Sequence, residues 1–195
     1  MKPFNDIGVR FDVEELGDFL ISCDYWGEYP QRGSEGSPHS QMVDIWARFK
    51  DPQYSLDTGD WSVFLDEHES IWLKDIPEVK GICEKLMEVT CGDRLGGVLI
   101  TKLPPGGKIT PHIDSGWHAT FYDKYMVPIR NKPGSKFCFE DGYIEPEEGQ
   151  VFGFRNDVLH WVENDSDEDR IAMIVCIHQS KFSKGGALCL GEQQQ

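Results

Sequence analysis

Apolar residues are spaced in two different ways along the chain. In "DVEELGDFLISC" (12–23) Leu16, Phe19 and Leu20 recur at helical intervals behind Asp12 and Glu15 at capping-box spacing, which predicts a short helix. "DIPEVKGICEKLMEV", from Asp75, repeats the Asp-x-x-Glu start and sets Ile76, Val79, Ile82 and Leu86 on one stripe, a second helix. Between them lies Gly- and Ser-rich loop text, "YWGEYPQRGSEGSPHS". It leads into a strand over 41–49 in which Met42, Asp44, Trp46 and Arg48 alternate with Val43, Ile45, Ala47 and Phe49. After that the period shortens. "GGVLITKL", "KITPHID", "KYMVPIR", "KFCFEDGYI", "GQVFGFR" and "RIAMIVCIH" are short β-branched or aromatic runs broken by Gly, Pro, Asn and Asp. Many short strands with turns between them predict a sandwich or barrel.

With 195 residues the chain suits one domain with a full core. Its expected parts are N-terminal helix and strand elements over 1–94, a β core over 95–180, and a loose tail over 183–195. The formal net charge of -15 excludes a nucleic-acid polymer as the natural partner, since phosphate binding needs an excess of Lys and Arg. No apolar run reaches membrane-span length and the first residues lack a signal-peptide core, so the expected location is cytoplasmic and off the membrane. In that setting Cys23, Cys83, Cys91, Cys138, Cys176 and Cys189, with no CxxC pair, read as small buried hydrophobes.

The chemistry starts at "KITPHID". On a strand, Thr110, His112 and Asp114 face one way and Ile109, Pro111 and Ile113 the other, so an imidazole and a carboxylate can reach one ion. That is two-thirds of a 2-His-1-carboxylate triad, which leaves coordination positions open. The third ligand has to be a distant histidine on a facing strand, and His160 in "FGFRNDVLHWVEND" is the best candidate. Arg170 then opens the apolar strand "RIAMIVCIH", sharing a face with Ala172, Ile174 and Cys176. A lone arginine there is costly unless an anion meets it, and its planar fork suits a carboxylate. His-x-Asp alone reads better as an Asx-turn beside a surface histidine. The ordered set His112, Asp114, His160 and Arg170 on a β-rich background is far more specific.

The text "TKLPPGGKITPHID", "YDKYMVPIRNKPGSKFCF" and "EEGQVFGFRNDVLHWVENDSDEDRIAMIVCI" resembles the aspartyl/asparaginyl β-hydroxylase-like branch of the Fe(II)/2-oxoglutarate-dependent oxygenases. The resemblance runs from Thr101 to about His178 and implies a double-stranded β-helix, the cupin-like jelly roll. It implies Fe(II) held by His112, Asp114 and His160, with 2-oxoglutarate as co-substrate and O2 as oxidant. Arg170 would bind the far carboxylate of 2-oxoglutarate, Thr101 would assist it, and Lys124 stands where relatives often have a basic residue. No catalytic side chain beyond the metal ligands is implied. The reaction would be hydroxylation of a C–H bond with release of succinate and CO2. Two departures stand out. Asp114 is present where some members have glycine, and Met126 occupies a position where many relatives have histidine.

The substrate class left open is a small molecule, an amino acid, or a peptide or protein side chain. Arg32, His39 and Arg48, before the core, and Trp117 and His118, after the metal motif, are candidate substrate contacts, each with an ordinary surface or packing role as the alternative. His178 reads as a satisfied edge histidine and His68 as a solvated one. The competing reading from another class is a non-catalytic cupin-type protein that binds metal or a small ligand.

Overall fold

The computed structural model describes residues 3–29 and 31–179. The tail expected over 183–195 lies outside them. Eleven strands and four helices follow in order: β1 (Phe4–Arg10), α1 (Glu14–Ser22), β2 (Val43–Phe49), α2 (Gln53–Thr58), β3 (Ile71–Trp72), α3 (Pro77–Val89), β4 (Arg94–Leu103) and β5 (Lys108–His112). Then come α4 (Trp117–Phe121), β6 (Asp123–Arg130), β7 (Ser135–Phe139), β8 (Gly142–Ile144), β9 (Gln150–Phe154), β10 (His160–Asn164) and β11 (Arg170–His178). The strands form two antiparallel sheets. The larger has the order β1-β9-β6-β11-β4-β2-β3 and the smaller β5-β10-β7-β8. This is the jelly roll with N-terminal helices that the run pattern and the resemblance imply.

Alternation along the larger sheet divides the interior in two. Ile171, Met173, Val175 and Ile177 of β11 join Val98 and Ile100 of β4 in a core with Leu16 and Leu20 of α1 and Val79, Ile82 and Leu86 of α3. Those helical positions are the apolar stripes seen in the sequence. Asp12 accepts from the Glu14 amide with its side chain, though the residues directly before α1 and α3 make no side-chain cap. On the other face Ala172, Met126, Leu103 and Phe152 meet Ile109, Phe137 and Val162 of the smaller sheet. This second core is broken by a cavity.

Two bulges decide what enters that cavity. In β5 the pairs His160↔His112 and Val162↔Ile109 leave one extra residue between Ile109 and His112. Ile109 and His112 therefore face inward together, and Thr110 is exposed, against strict alternation. In β2 the pairs Trp46↔Leu99 and Arg48↔Val98 again leave an extra residue, and Arg48 turns to the helix side. β4 carries its own irregularity at Gly96 and Gly97. A Cβ there would stand 2.7 Å from the ring of Tyr122 at Gly96 and 2.7 Å from that of Phe49 at Gly97, so only glycine allows this approach.

β1, β3, β10 and the short helices α2 and α4 are elements the run pattern does not predict. Cys23, Cys83, Cys138 and Cys176 are free, and the last three are buried, as small apolar residues would be. No helix among the described residues is long and apolar enough to cross a membrane.

Candidate metal centre and its cavity

His112 ends β5 and His160 begins β10, the neighbouring strand of the same sheet and not a facing one, where the two are direct cross-strand partners. Their rings lie 4.5 Å apart. The carbonyls of Thr110 and Val158 accept hydrogen bonds from Nδ1 of His112 (2.7 Å) and of His160 (2.9 Å). A carbonyl can only accept, so each Nδ1 carries a proton and each Nε2 is the nitrogen turned to the Asp114 carboxylate, placed to ligate. Asp114 follows two residues later, its amide donating to the Asn156 carbonyl at 3.0 Å. Its Oδ1 is 3.5 Å from His112 Nε2 and its Oδ2 is 3.9 Å from His160 Nε2. One ligand atom from each of the three residues lies within 4.8 Å of the others. The donor set, two imidazoles and one carboxylate, suits a first-row divalent metal with open positions.

Lys124 donates to Asp114 Oδ2 at 2.5 Å. Burial acts to raise the Asp114 carboxyl, but the His112 ring beside it and the hydrogen bond and charge of Lys124 outweigh burial and hold the group far below the usual range. Burial lowers His160, which keeps the ring neutral and able to ligate.

The cavity beside this cluster has a volume of about 200 Å3. Arg170 lines it, at 3% exposure. Its Nη2 meets only the sulfur of Met126, at 3.2 Å, and its buried Nε has no partner. Burial pushes it down to about 10, so it is still charged at neutral pH. No ion pair among the described residues satisfies it. A buried guanidinium left this way fits a carboxylate brought by a ligand. Thr101, on β4 beside Ala172, also lines the cavity and donates to the Ala172 carbonyl at 3.2 Å.

Of the candidate substrate contacts, Arg32, His39 and His118 line this cavity, and Arg48 and Trp117 do not. Arg48, turned away by its bulge, donates to the carbonyls of Leu95 and Gly96, both at 2.7 Å, and lies over Trp72. Trp117 stacks on Phe121 and contacts His68 instead. His68 is 7% exposed, not solvated, because Phe49, Phe64 and Trp117 close around it. His178 bonds Asp93 at 2.7 Å, as an edge histidine should. His118 Nε2 accepts from the Gly97 amide at 3.3 Å, and burial lowers it to about 3. Burial, with Arg32 and His112 nearby, lowers His39 to about 2.

Sequence reasoning missed Asn156 and Asp44. Asn156 fixes Asp114 through its carbonyl, and its side chain donates to the Ala119 carbonyl at 2.8 Å. Asp44 is buried and pairs with Arg32 at 2.8 Å. An Asn in a turn gave no distinguishing signal. Asp44 did give one, as a carboxylate on an otherwise apolar strand.

The family model for aspartyl/asparaginyl beta-hydroxylase matches residues 34–179, so the similarity begins well before Thr101. Among solved structures, a viral collagen prolyl hydroxylase from Paramecium Bursaria Chlorella virus-1, in complex with 2OG, has a TM-score of 0.54 at 14% identity, covering 91% of this chain and 96% of that one. A 2OG-Fe(II) oxygenase family oxidoreductase from Burkholderia pseudomallei has a TM-score of 0.51 at 11% identity, covering 74% of this chain and 68% of that one. At those identities they speak for the fold. No curated protein matches the chain. With a jelly roll, a His-Asp-His cluster and a family match over most of its length, this chain belongs to the aspartyl/asparaginyl beta-hydroxylase family.

Proposed function

We propose that the protein is an Fe(II)- and 2-oxoglutarate-dependent dioxygenase that hydroxylates a C–H bond of a small molecule. The observation that carries this is the meeting, in one cavity, of the His112–Asp114–His160 cluster and the buried, unpaired Arg170. A protein that only bound metal would have no use for the second. When bound, Fe(II), 2-oxoglutarate and O2 would supply the oxidation: the C–H bond becomes C–OH, one oxygen atom going to it and the other to succinate, with CO2 released.

The chain's own residues do the rest. His112, Asp114 and His160 would hold the metal, their tautomers and orientation already fixed by the carbonyls of Thr110 and Val158 and by Asn156. Arg170 would take the far carboxylate of 2-oxoglutarate in its fork, with Thr101 beside it. Lys124 keeps Asp114 ionised and in place. Phe137, Phe154, Ile174 and Leu99 wall the cavity and exclude water. We take the whole chain as one catalytic unit, since β1 and β2 hydrogen-bond into the sheet that holds Arg170.

The test is succinate formation from 2-oxoglutarate with Fe(II), ascorbate and air. A cell extract split by ultrafiltration is supplied as filtrate or retained fraction, with Arg170→Ala as control. Stimulation by the filtrate, lost in the variant, is expected. Stimulation by the retained fraction alone would move the substrate to a macromolecule. No stimulation, with the variant matching wild type, would contradict the enzyme.

A further inference from the structure

The loop before β2 supplies part of the cavity wall through Arg32 and His39. Arg32 Nη1 donates to the buried Asp44 carboxylate at 2.8 Å, its only hydrogen-bond partner among the described residues. Asp44 sits on β2 opposite Thr101 and is 4% exposed, so the guanidinium is anchored by a rigid strand while the rest of its fork is unused. His39 stands edge-on to the His112 ring at 4.9 Å, and its buried Nδ1 has no partner.

The distribution of charge sharpens this. The chain carries a net charge of -15, yet Asp114 is the one acidic residue lining the cavity, against Arg32, Lys124 and Arg170. A basic lining inside an acidic protein concentrates anions there. Lys124 is held by Asp114 and Arg170 is assigned to the co-substrate, whereas Arg32 gives Asp44 one nitrogen of its fork and reaches the cavity with the others unused. Its fork matches a carboxylate. The neighbouring His39 nitrogen calls for a hydrogen-bonding group close to that carboxylate. The volume of about 200 Å3 falls below the roughly 300–1,000 Å3 of ordinary ligand pockets and must also admit 2-oxoglutarate. The cavity therefore suits a small ligand.

Resting on the hydroxylase reading above, we propose that the substrate is a small carboxylic acid with a hydrogen-bonding group beside its carboxylate, the pattern of a free amino acid. Arg32 holds the carboxylate and His39 Nδ1 holds the neighbouring group. The pair sets specificity and takes no part in binding 2-oxoglutarate.

The test supplies the common amino acids to the full-length protein in three forms: free acids, α-carboxamides, and central residues of end-capped tripeptides. Succinate is read with Fe(II), ascorbate and 2-oxoglutarate. At least one free acid is expected to stimulate turnover, with its carboxamide weaker by roughly tenfold or more. Arg32→Met alone would strand the Asp44 charge, so the variant used is Arg32→Met with Asp44→Asn, checked by its melting curve. It should raise KM for the acid roughly 10- to 100-fold and abolish the preference for acid over carboxamide, with 2-oxoglutarate binding by calorimetry unchanged. Arg32→Lys should recover part of the loss. Silence of every free acid, equal use of the carboxamides, stimulation by the capped peptides alone, or an indifferent double variant would each overturn the proposal. If 2-oxoglutarate still binds and is turned over in those cases, only this inference falls. If it does not bind wild-type protein at all, the hydroxylase reading falls with it.

Discussion

The two faces of the larger sheet are made by the same strands and have opposite characters. On β11, Ile171, Met173 and Val175 go to the helix side, each at most 1% exposed and surrounded by aliphatic side chains. The alternate positions Arg170, Ile174 and Cys176 go to the cavity, where the Arg170 cation is buried with no ion-pair partner among the described residues and its Nε and His39 Nδ1 lack hydrogen bonds. One face is packed to hold the fold. The other is left with unsatisfied groups, which the proposed metal and acids would complete. Strand alternation lets both requirements be met by neighbouring residues, one step apart in sequence.

Adjacent substitutions should separate the two faces. The largest expected effect is on the helix side: Ile171→Ala removes a buried side chain and should cost about 2–5 kcal/mol, read as a drop in melting temperature of about 2–4 °C per kcal/mol. At the next residue, Arg170→Met should leave the metal-free protein as stable as wild type or about 1 kcal/mol more stable, since a lone buried charge is removed. The same variant should weaken 2-oxoglutarate by roughly 100-fold or more, measured by calorimetry. Loss of stability at Arg170 equal to that at Ile171 would show that the cavity face is structural after all.

The cavity face should also make stability depend on pH. His118 and His39 have folded-state values lowered by burial to about 3 and about 2, against about 6.5 when unfolded. The unfolded chain therefore takes up protons first as pH falls. Their contribution is full above about pH 6.5 and is lost progressively below it, at up to about 1.4 kcal/mol per pH unit for each ring. Metal-free protein should lose stability to denaturant between pH 7 and 5, and His118→Phe should reduce that slope. An unchanged slope would mean that the ring takes up its proton equally in the folded and the unfolded chain. The smallest effect is expected from Thr101→Val, which removes one hydrogen bond to the Ala172 carbonyl. It should cost about 0.5–1.5 kcal/mol in stability and a few-fold in 2-oxoglutarate affinity.

The difference between the faces also explains what could be read from the sequence. The strand runs from "GGVLITKL" to "RIAMIVCIH" and both helices were legible because their apolar periodicity is local. The His112, Asp114, His160 and Arg170 set was legible because those residue types are conspicuous on a β background. The bulges were not. Nothing local to 109–112 says that Thr110 is turned outward, nor does anything near Arg48 say that it leaves the cavity face, because the extra residue is defined only against the partner strand. β10 was expected only as the strand that carries His160, since "HWVEN" is short and mixes polar with apolar residues. His68 was misread because Phe49, Phe64 and Trp117, which bury it, come from distant segments. β1 had no signal of its own and exists through its pairing with β9.

The most direct test of a metal and an acid sharing one cavity is anaerobic calorimetry of 2-oxoglutarate with wild-type, His112→Ala and Arg170→Met proteins, each with and without Fe(II). The expected result is one 2-oxoglutarate per chain, bound tightly only with Fe(II). His112→Ala should lose metal and acid together, whereas Arg170→Met should keep the metal and lose the acid. Binding that ignores both the metal and Arg170 would contradict the shared site.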